Sequence, residues 1–126
     1  MSAATKAPAT EIIDTYLASL TEPNTARRAA LMEKAWTPDA RYVDPHHDLA
    51  GYAAFSGAID NVVSGYPGFQ FRRTTGLDAQ HEYVRFGWEF VGPDGTAVQK
   101  GLDVGQLAVD GRLQTIIGFH GDPPAA

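Results

Sequence analysis

The stretch that decides the fold is Trp36-Thr-Pro-Asp-Ala-Arg-Tyr-Val-Asp-Pro-His-His-Asp-Leu-Ala-Gly51. We interpret it as the end of a helix, a tight turn at Thr37-Pro38-Asp39 and a short strand over Ala40–Asp44. A polar loop then leads to a new helix that begins near Gly51. Because a carboxylate at the mouth of the strand lies beside two histidines, this stretch holds the densest acid–base chemistry in the chain.

Helical periodicity precedes this stretch. Thr10 is the predicted N-cap of a first helix, in which Ile13, Tyr16 and Leu20 share one apolar face. A second helix is predicted over Ala26–Ala35. Tyr16 therefore points into the interior, where its hydroxyl needs a hydrogen-bond partner, and a backbone carbonyl is the simplest candidate.

A third helix follows the stretch. Apolar residues recur at three- and four-residue steps from Tyr52 to Val62, and Gly65-Tyr66-Pro67-Gly68 ends the helix. From Phe69 onward the apolar period changes to two, which predicts strands. Four long strands are expected, at Phe69 to Gly76, His81 to Val91, Thr96 to Val109 and Arg112 to His120. Within the third of these, Gly101 and Gly105 indicate a bulge or a strong bend.

These elements predict an α+β domain in which a bent, mostly antiparallel sheet packs on three N-terminal helices and encloses a cavity. The chain has 126 residues and is 44% hydrophobic, which suits one domain with a real core. Residues 1–9 are interpreted as a flexible leader, residues 10–121 as the single domain and residues 122–126 as a tail.

Composition narrows the class of partner. The formal net charge of −5 argues against nucleic acid or an anionic membrane surface. No cysteine is present, so thiol catalysis, disulfides and zinc–thiolate sites are excluded. The start of the chain lacks the apolar core of a signal peptide, and no apolar run is long enough to span a bilayer. We therefore expect a cytoplasmic protein.

Two aspartates are the candidate catalytic groups. Alternation along the first strand places Asp44 on the same side as Tyr42, although an Asp-Pro pair is also an ordinary start of a turn. Asp103 lies in the middle of a long strand among small and apolar neighbours. A carboxylate there is costly unless it is paired or carries its proton, so its alternatives are an ion pair with Arg73 or Arg85, or a protonated donor.

The histidines are predicted to serve the cavity rather than a metal. His46 and His47 are adjacent, so their side chains diverge on an extended backbone, and none of the strong metal-binding spacings occurs. We expect no metal and no cofactor. His46 and His47 are assigned to the cavity entrance, and His120, at the end of the last strand, faces either the cavity or the solvent.

The order of elements resembles the nuclear transport factor two-like superfamily, in particular its SnoaL-like branch. The matching pieces are Trp36-Thr-Pro-Asp-Ala-Arg-Tyr-Val-Asp-Pro45, Gly51-Tyr-Ala-Ala-Phe55, Gly101-Leu-Asp-Val104 and Val109-Asp-Gly-Arg-Leu113. The resemblance implies a cone-shaped bent sheet closed by helices, with a homodimer formed through the outer face of the sheet.

Within that superfamily the chain also resembles ketosteroid isomerase, whose acid–base positions fall here on Tyr16, Asp44 and Asp103. The resemblance implies that Asp44 removes a proton beside a carbonyl, while Tyr16 and a protonated Asp103 donate hydrogen bonds to the resulting oxyanion. The remaining residues assigned to the substrate are Trp36, Tyr42, His46, His47, Phe55, Phe86, Trp88 and His120.

Three functional hypotheses follow. The first is a cofactor-independent enzyme that moves a proton next to a carbonyl of a small, largely apolar substrate, of the isomerase or polyketide-cyclase type. The second is a non-catalytic small-molecule-binding or accessory domain, and the third is a protein-interaction module. The three acid–base residues favour the first, with a flat carbonyl or phenolic compound as the ligand.

Overall fold

The fold is taken from a computed structural model, which describes residues 3–126 and their side chains from residue 8 onward. Its helices are α1 (Ala3–Ser19), α2 (Thr25–Ala35) and α3 (Tyr52–Gly65). Its strands are β1 (Trp36–Asp44), β2 (His47–Ala50), β3 (Gln70–Arg73), β4 (Asp78–Gln80), β5 (Tyr83–Val91), β6 (Ala97–Leu107) and β7 (Leu113–His120). Within this described part, no helix is both long and apolar enough to cross a membrane.

The strands form one sheet in the order β2-β1-β7-β6-β5-β3, and β4 also pairs with β5. Only β1 and β7 run parallel among the described pairs. The register shifts between Phe90 and Val91 and between Gln106 and Leu107, and such irregularities bend strands and increase their twist. The predicted α+β fold, a curved and mostly antiparallel sheet with three helices, is confirmed.

The two-residue period predicted for the strand from His81 to Val91 is present in β5. Val84, Phe86, Trp88 and Phe90 are buried on one face of β5, and Tyr83 on the other face is exposed. These side chains pack against α1 and α3 in one continuous core. The inner face of β5 therefore forms the floor on which the site is built.

The beginning of the chain differs from the prediction. α1 begins at Ala3, so Thr10 lies inside the helix and is not its N-cap. The alanine-rich segment before Thr10 favours the helix, and Ala9 is buried against the core. Of the leader expected over residues 1–9, Met1 and Ser2 lie outside the described residues, and residues 3–9 belong to α1.

The deciding stretch is a hairpin rather than a turn, a short strand and a loop. β1 already begins at Trp36, so the turn predicted at Thr37-Pro38-Asp39 is wrong, although the pairing with β7 is irregular between Trp36 and Arg41. The predicted loop contains β2, which pairs antiparallel with β1 and brings His47 opposite Asp44. This hairpin is what holds the two side chains together.

The remaining strands are shorter than predicted. β3 ends at Arg73, and the separate strand β4 lies between it and β5. His81, where a strand was expected to begin, has a left-handed backbone with φ of 50° and therefore lies in the turn between β4 and β5.

The glycines of β6 serve close packing. No register shift falls at Gly101, where a Cβ atom would overlap both the carbonyl oxygen of Phe119 and the indole ring of Trp88. At Gly105 the space is also tight, with Ile116 Cδ1 3.1 Å from the position of a Cβ. The absence of a side chain at Gly101 thus leaves room for the ring of Trp88, its partner on β5.

The charged residues of α2 indicate a solvated face, but the side chain of Arg28 is only 1% exposed. Its Nη1 donates to Ser56 Oγ at 3.0 Å and to Asp60 Oδ1 at 2.6 Å, and its Nε donates to the Glu22 carbonyl at 2.9 Å. A buried guanidinium is stable only when its donors are satisfied. Arg28 therefore fixes α2 against α3, which covers one side of the site.

Candidate active site

A cavity of about 500 Å³ lies between the helices and the inner face of the sheet, and most of its lining is apolar. All of the residues selected from the sequence line it except Phe86. Those that do are Tyr16, Asp44, Asp103, Trp36, Tyr42, His46, His47, Phe55, Trp88 and His120.

Phe86 does not reach the cavity, so its assignment to the substrate is wrong. It shares the inner face of β5 with Trp88 but is 1% exposed. The ring of Tyr16 packs edge-on at a centroid distance of 6.5 Å and covers it. Phe86 instead packs against the ring of Tyr16, which also contacts the ring of Trp36 at a centroid distance of 5.2 Å.

Asp103 is the most buried carboxylate of the site, at 2% exposure. Its Oδ2 accepts a hydrogen bond from the Tyr16 hydroxyl at 2.8 Å, and its Oδ1 accepts one from Trp88 Nε1 at 2.9 Å. Arg73 and Arg85, the alternative partners considered from the sequence, bind Asp14 and Asp78 instead. Of the two alternatives for Asp103, the ion pair with Arg73 or Arg85 is therefore not formed.

Burial raises the pKa of Asp103 from 3.8 to about 6. The hydrogen bonds from Tyr16 and Trp88 oppose this rise, and the charge of Asp44 adds to it. The raised pKa agrees in direction with the prediction from the sequence. Asp103 thus exchanges its proton in mildly acidic solution rather than near pH 4.

Asp44 is held by three donors. Its Oδ2 accepts from the Tyr42 hydroxyl at 2.6 Å, and its Oδ1 accepts from the His46 backbone N–H at 2.8 Å and lies 3.0 Å from His47 Nδ1. Desolvation raises the pKa of Asp44, but these hydrogen bonds outweigh it, so the pKa lies below the ordinary value of 3.8. Asp44 therefore remains ionised where Asp103 begins to take up a proton.

Tyr16 and Tyr42, the two tyrosines that contact the carboxylates, stay protonated. Burial and the neighbouring Asp103 raise the pKa of Tyr16 well above 10. Burial and the hydrogen bond to Asp44 likewise raise the pKa of Tyr42. Each hydroxyl is therefore a hydrogen-bond donor at any physiological pH.

Gly118 of β7 brings the two carboxylates together. It lies opposite Asp103 in the β6–β7 pair. A Cβ atom there would be 2.8 Å from Asp103 Oδ1, 3.6 Å from Asp44 Cβ and 3.8 Å from the Tyr42 hydroxyl. Since Cβ contacts under 3.0 Å require a shift, only glycine leaves Asp103 in place.

The histidines lie together at one side of the cavity. The ring of His46 is 6.5 Å from that of His47 and 5.8 Å from that of His120, and His120 also meets Trp88 at 5.6 Å. Among residues with described side chains, no group of three or more His, Cys, Asp or Glu is arranged to hold a metal ion.

Four aromatic lining residues were not selected from the sequence: Tyr66, Phe69, Phe71 and Phe90, here called the aromatic wall. Phe71 stacks on Phe90 at 4.4 Å, and Phe69 lies 5.0 Å from Phe90. Phe71 and Phe90 are directly opposite each other in the β3–β5 pair. The alternation of Phe69 and Phe71 in the sequence indicates one apolar face of a strand. Only the pairing of β3 with β5 shows that this face lines the cavity.

Neither a protein-family model nor a curated protein matches the sequence. Solved structures do match. A candidate isomerase of the SnoaL-like family from Agrobacterium tumefaciens strain C58 shares 32% identity, with a TM-score of 0.83 over 92% of this chain and 99% of that chain. A candidate SnoaL-like polyketide cyclase from Jannaschia sp. CCS1 shares 13% identity, with a TM-score of 0.74 over 95% and 90%. A candidate hydroxylase from Streptomyces galilaeus shares 14% identity, with a TM-score of 0.60 over 90% and 90%. The last two similarities show the fold alone.

Proposed function

This chain belongs to the SnoaL-like branch of the nuclear transport factor two-like superfamily, and from that premise we propose that it is a cofactor-independent proton-transfer enzyme. It acts next to a carbonyl of a small, largely apolar substrate, in the manner of a ketosteroid isomerase or a polyketide cyclase. The observation that carries the proposal is the pair of carboxylates with opposite pKa shifts in one apolar cavity. Such a pair divides naturally into a base and a donor.

Asp44 is the base. Each carboxylate oxygen has two acceptor positions, and two donors occupy those of Oδ1 while Tyr42 occupies one of Oδ2. The remaining position on Oδ2 accepts the proton from the carbon beside the carbonyl. The C–H electron pair then moves onto the carbonyl oxygen, which becomes an enolate stabilised by the Tyr16–Asp103 pair. Return of the proton from Asp44 to another carbon of a conjugated enolate gives the isomer, whereas return to the same carbon regenerates the ketone. Attack of the enolate carbon on a second carbonyl, whose oxygen takes the proton from Asp44, gives the cyclised product.

The charge of the lining supports an uncharged substrate. No lysine or arginine lies among the described residues of the cavity, whereas Asp44 supplies a negative charge. Proton transfer moves that charge from Asp44 to the ligand oxygen without adding to it. A substrate that is already an anion would place a second negative charge in a site of low dielectric, which is unfavourable.

The first prediction tests this proposal. In deuterated buffer, the protein is expected to accelerate hydrogen–deuterium exchange at the carbon between the ring and the carbonyl of 2-tetralone, measured by proton NMR. A carboxylated derivative of 2-tetralone should bind at least about 100-fold more weakly, because its charge opposes that of Asp44. Binding of neutral ketones without exchange would contradict the enzyme and support a ligand-binding domain.

That non-catalytic reading is the second candidate function. The aromatic wall favours it, because stacked rings offer a broad apolar surface with no group that reacts. The two readings share the cavity and its neutral aromatic ligands. They differ only in whether Asp44 moves a proton, which the exchange measurement decides.

The second prediction is a homodimer through the outer face of the sheet. Leu102, Ile117 and Phe119 are 38%, 40% and 56% exposed, and β6–β7 pairing places Leu102 opposite Phe119 and Val104 opposite Ile117. Val43 extends this patch onto β1. A contiguous apolar patch on a sheet suits a second copy of the same chain.

Sedimentation at micromolar concentration is expected to give a dimer, and Phe119→Asp should give a monomer with an intact fold. The patch lies on β1, β6 and β7 and does not continue onto β5, because β5 carries Arg85 on this face. A monomer in the unmodified protein would contradict the prediction.

A further inference from the structure

Trp88 is the partner of Asp103 that the proposed reaction does not use. Its Nε1 donates to Asp103 Oδ1 at 2.9 Å from the neighbouring strand, and both side chains are buried. An indole N–H donates a hydrogen bond and cannot accept one. Oδ1 is therefore an acceptor whether Asp103 is ionised or protonated.

The position of the acidic proton follows. When Asp103 takes up a proton, this proton is bound to Oδ2, the oxygen that lies 2.8 Å from the Tyr16 hydroxyl. Tyr16 has a single hydroxyl proton. While Asp103 is ionised, Tyr16 donates this proton in a hydrogen bond to Oδ2, so the oxygen of Tyr16 presents only lone pairs to the cavity. Once Asp103 is protonated, it donates to Tyr16, and the O–H of Tyr16 turns toward the cavity.

We propose that Trp88 is a positioning residue that places the proton of Asp103 on Oδ2, and that Asp103 acts on a ligand oxygen only through Tyr16. The Trp88–Asp103–Tyr16 series is then a relay with one donor facing the ligand, instead of two donors side by side. The inference rests on the proposed function only for the identity of the ligand group, a carbonyl oxygen.

The groups around Asp103 set the pH at which the hydroxyl of Tyr16 turns toward the cavity. Tyr16 approaches from α1, Tyr42 and Asp44 from β1, and β7 contributes the bare backbone of Gly118. His46, His47 and His120 line the same cavity, and no lysine or arginine of the described residues does. Burial raises the pKa of Asp103 to about 6, so the O–H of Tyr16 becomes available below that pH.

The experiment is calorimetric titration with 2-acetonaphthone between pH 5 and pH 8. This neutral ketone only accepts hydrogen bonds and does not titrate in that range. With a pKa of about 6, roughly 1% of Asp103 is protonated at pH 8, so the affinity is expected to fall on the order of 10- to 100-fold from pH 5 to pH 8.

Three variants test whether the pH dependence of the affinity arises from the Trp88–Asp103–Tyr16 series. Asp103→Asn accepts from Trp88 through its oxygen and donates to Tyr16 through its amide, so its affinity should match that of the unmodified protein at pH 5 at every pH. Tyr16→Phe should bind weakly at every pH. Trp88→Phe removes a bond that lowers the pKa of Asp103, so the midpoint should move upward by about one pH unit.

Trp36→Phe is the matched control, since Trp36 lines the cavity and contacts Tyr16 and Phe55 by its ring. It should leave the midpoint of the pH dependence unchanged. A pH dependence that persists in Asp103→Asn, or a midpoint in Trp88→Phe equal to that of the unmodified protein, would overturn the relay. Because the readout is binding, absence of hydrogen–deuterium exchange with this pH dependence intact would refute the proposed enzyme and leave the relay standing.

Discussion

Asp44→Asn is expected to slow hydrogen–deuterium exchange of a bound ketone by about 10²- to 10⁴-fold, the usual contribution of a general base. Asparagine keeps the shape of the side chain, with its oxygen toward His46 and His47 and its amide toward the Tyr42 hydroxyl. The acceptor position for the proton is lost. Ligand affinity should change less than about tenfold, so the loss falls on the chemical step.

Asp48→Asn is the matched control for this variant. Asp48 lies four residues further along the same hairpin but is exposed and pairs with Arg41 outside the cavity. Its replacement should leave the exchange rate unchanged. An exchange rate in Asp44→Asn within about twofold of the unmodified protein would show that Asp44 is not the base.

Asp103→Asn is expected to stabilise the fold at pH 8 and to have little effect at pH 4. The folded-state pKa of Asp103, about 6, lies above its ordinary value of 3.8, so the folded protein binds the proton more tightly than the unfolded chain. That stabilisation is complete below pH 3.8 and is lost as the pH rises through 6. The rise in pKa corresponds to about 3 kcal/mol. A neutral asparagine does not lose stability as the pH rises, so the free energy of unfolding of Asp103→Asn should exceed that of the unmodified protein by up to about 3 kcal/mol at pH 8.

Urea unfolding of both proteins at several pH values measures this difference. Asp44→Asn should show the opposite dependence of stability on pH. The lowered pKa of Asp44 gives the unmodified protein stability above the ordinary pKa of an aspartate, and this stability is lost as the pH falls. The destabilising effect of Asp44→Asn should therefore shrink toward low pH. A difference for Asp103→Asn that stays constant from pH 4 to pH 8 would contradict the raised pKa.

Much of the site was predictable because alternation fixes which face of a strand a side chain occupies. The pattern around Trp88 and the position of Asp103 among small residues indicated the inner face before any contact was known. Alternation does not say what covers a given position on that face. Phe86 has the same parity as Trp88, yet the ring of Tyr16 seals it from the cavity.

The contacts that were missed depend on pairing between distant segments. The bond between Trp88 and Asp103 requires the β5–β6 register, which sets Phe86 opposite Asp103 and Trp88 opposite Gly101. β2 and β4 have four and three residues, too few for a period to be recognised. The burial of Arg28 depends on acceptors supplied by α3, so a helical charge pattern alone marked it as solvated.

The proposed division of roles requires that the two carboxylates of the cavity hold opposite protonation states at one mildly acidic pH. Carbon-13 NMR titration of the aspartate carboxyl groups tests it directly, with Asp44→Asn and Asp103→Asn identifying the two signals. Asp103 is expected to titrate near pH 6 and Asp44 below 3.8. A pKa of Asp103 at or below 3.8, or a pKa of Asp44 above that of Asp103, would contradict it.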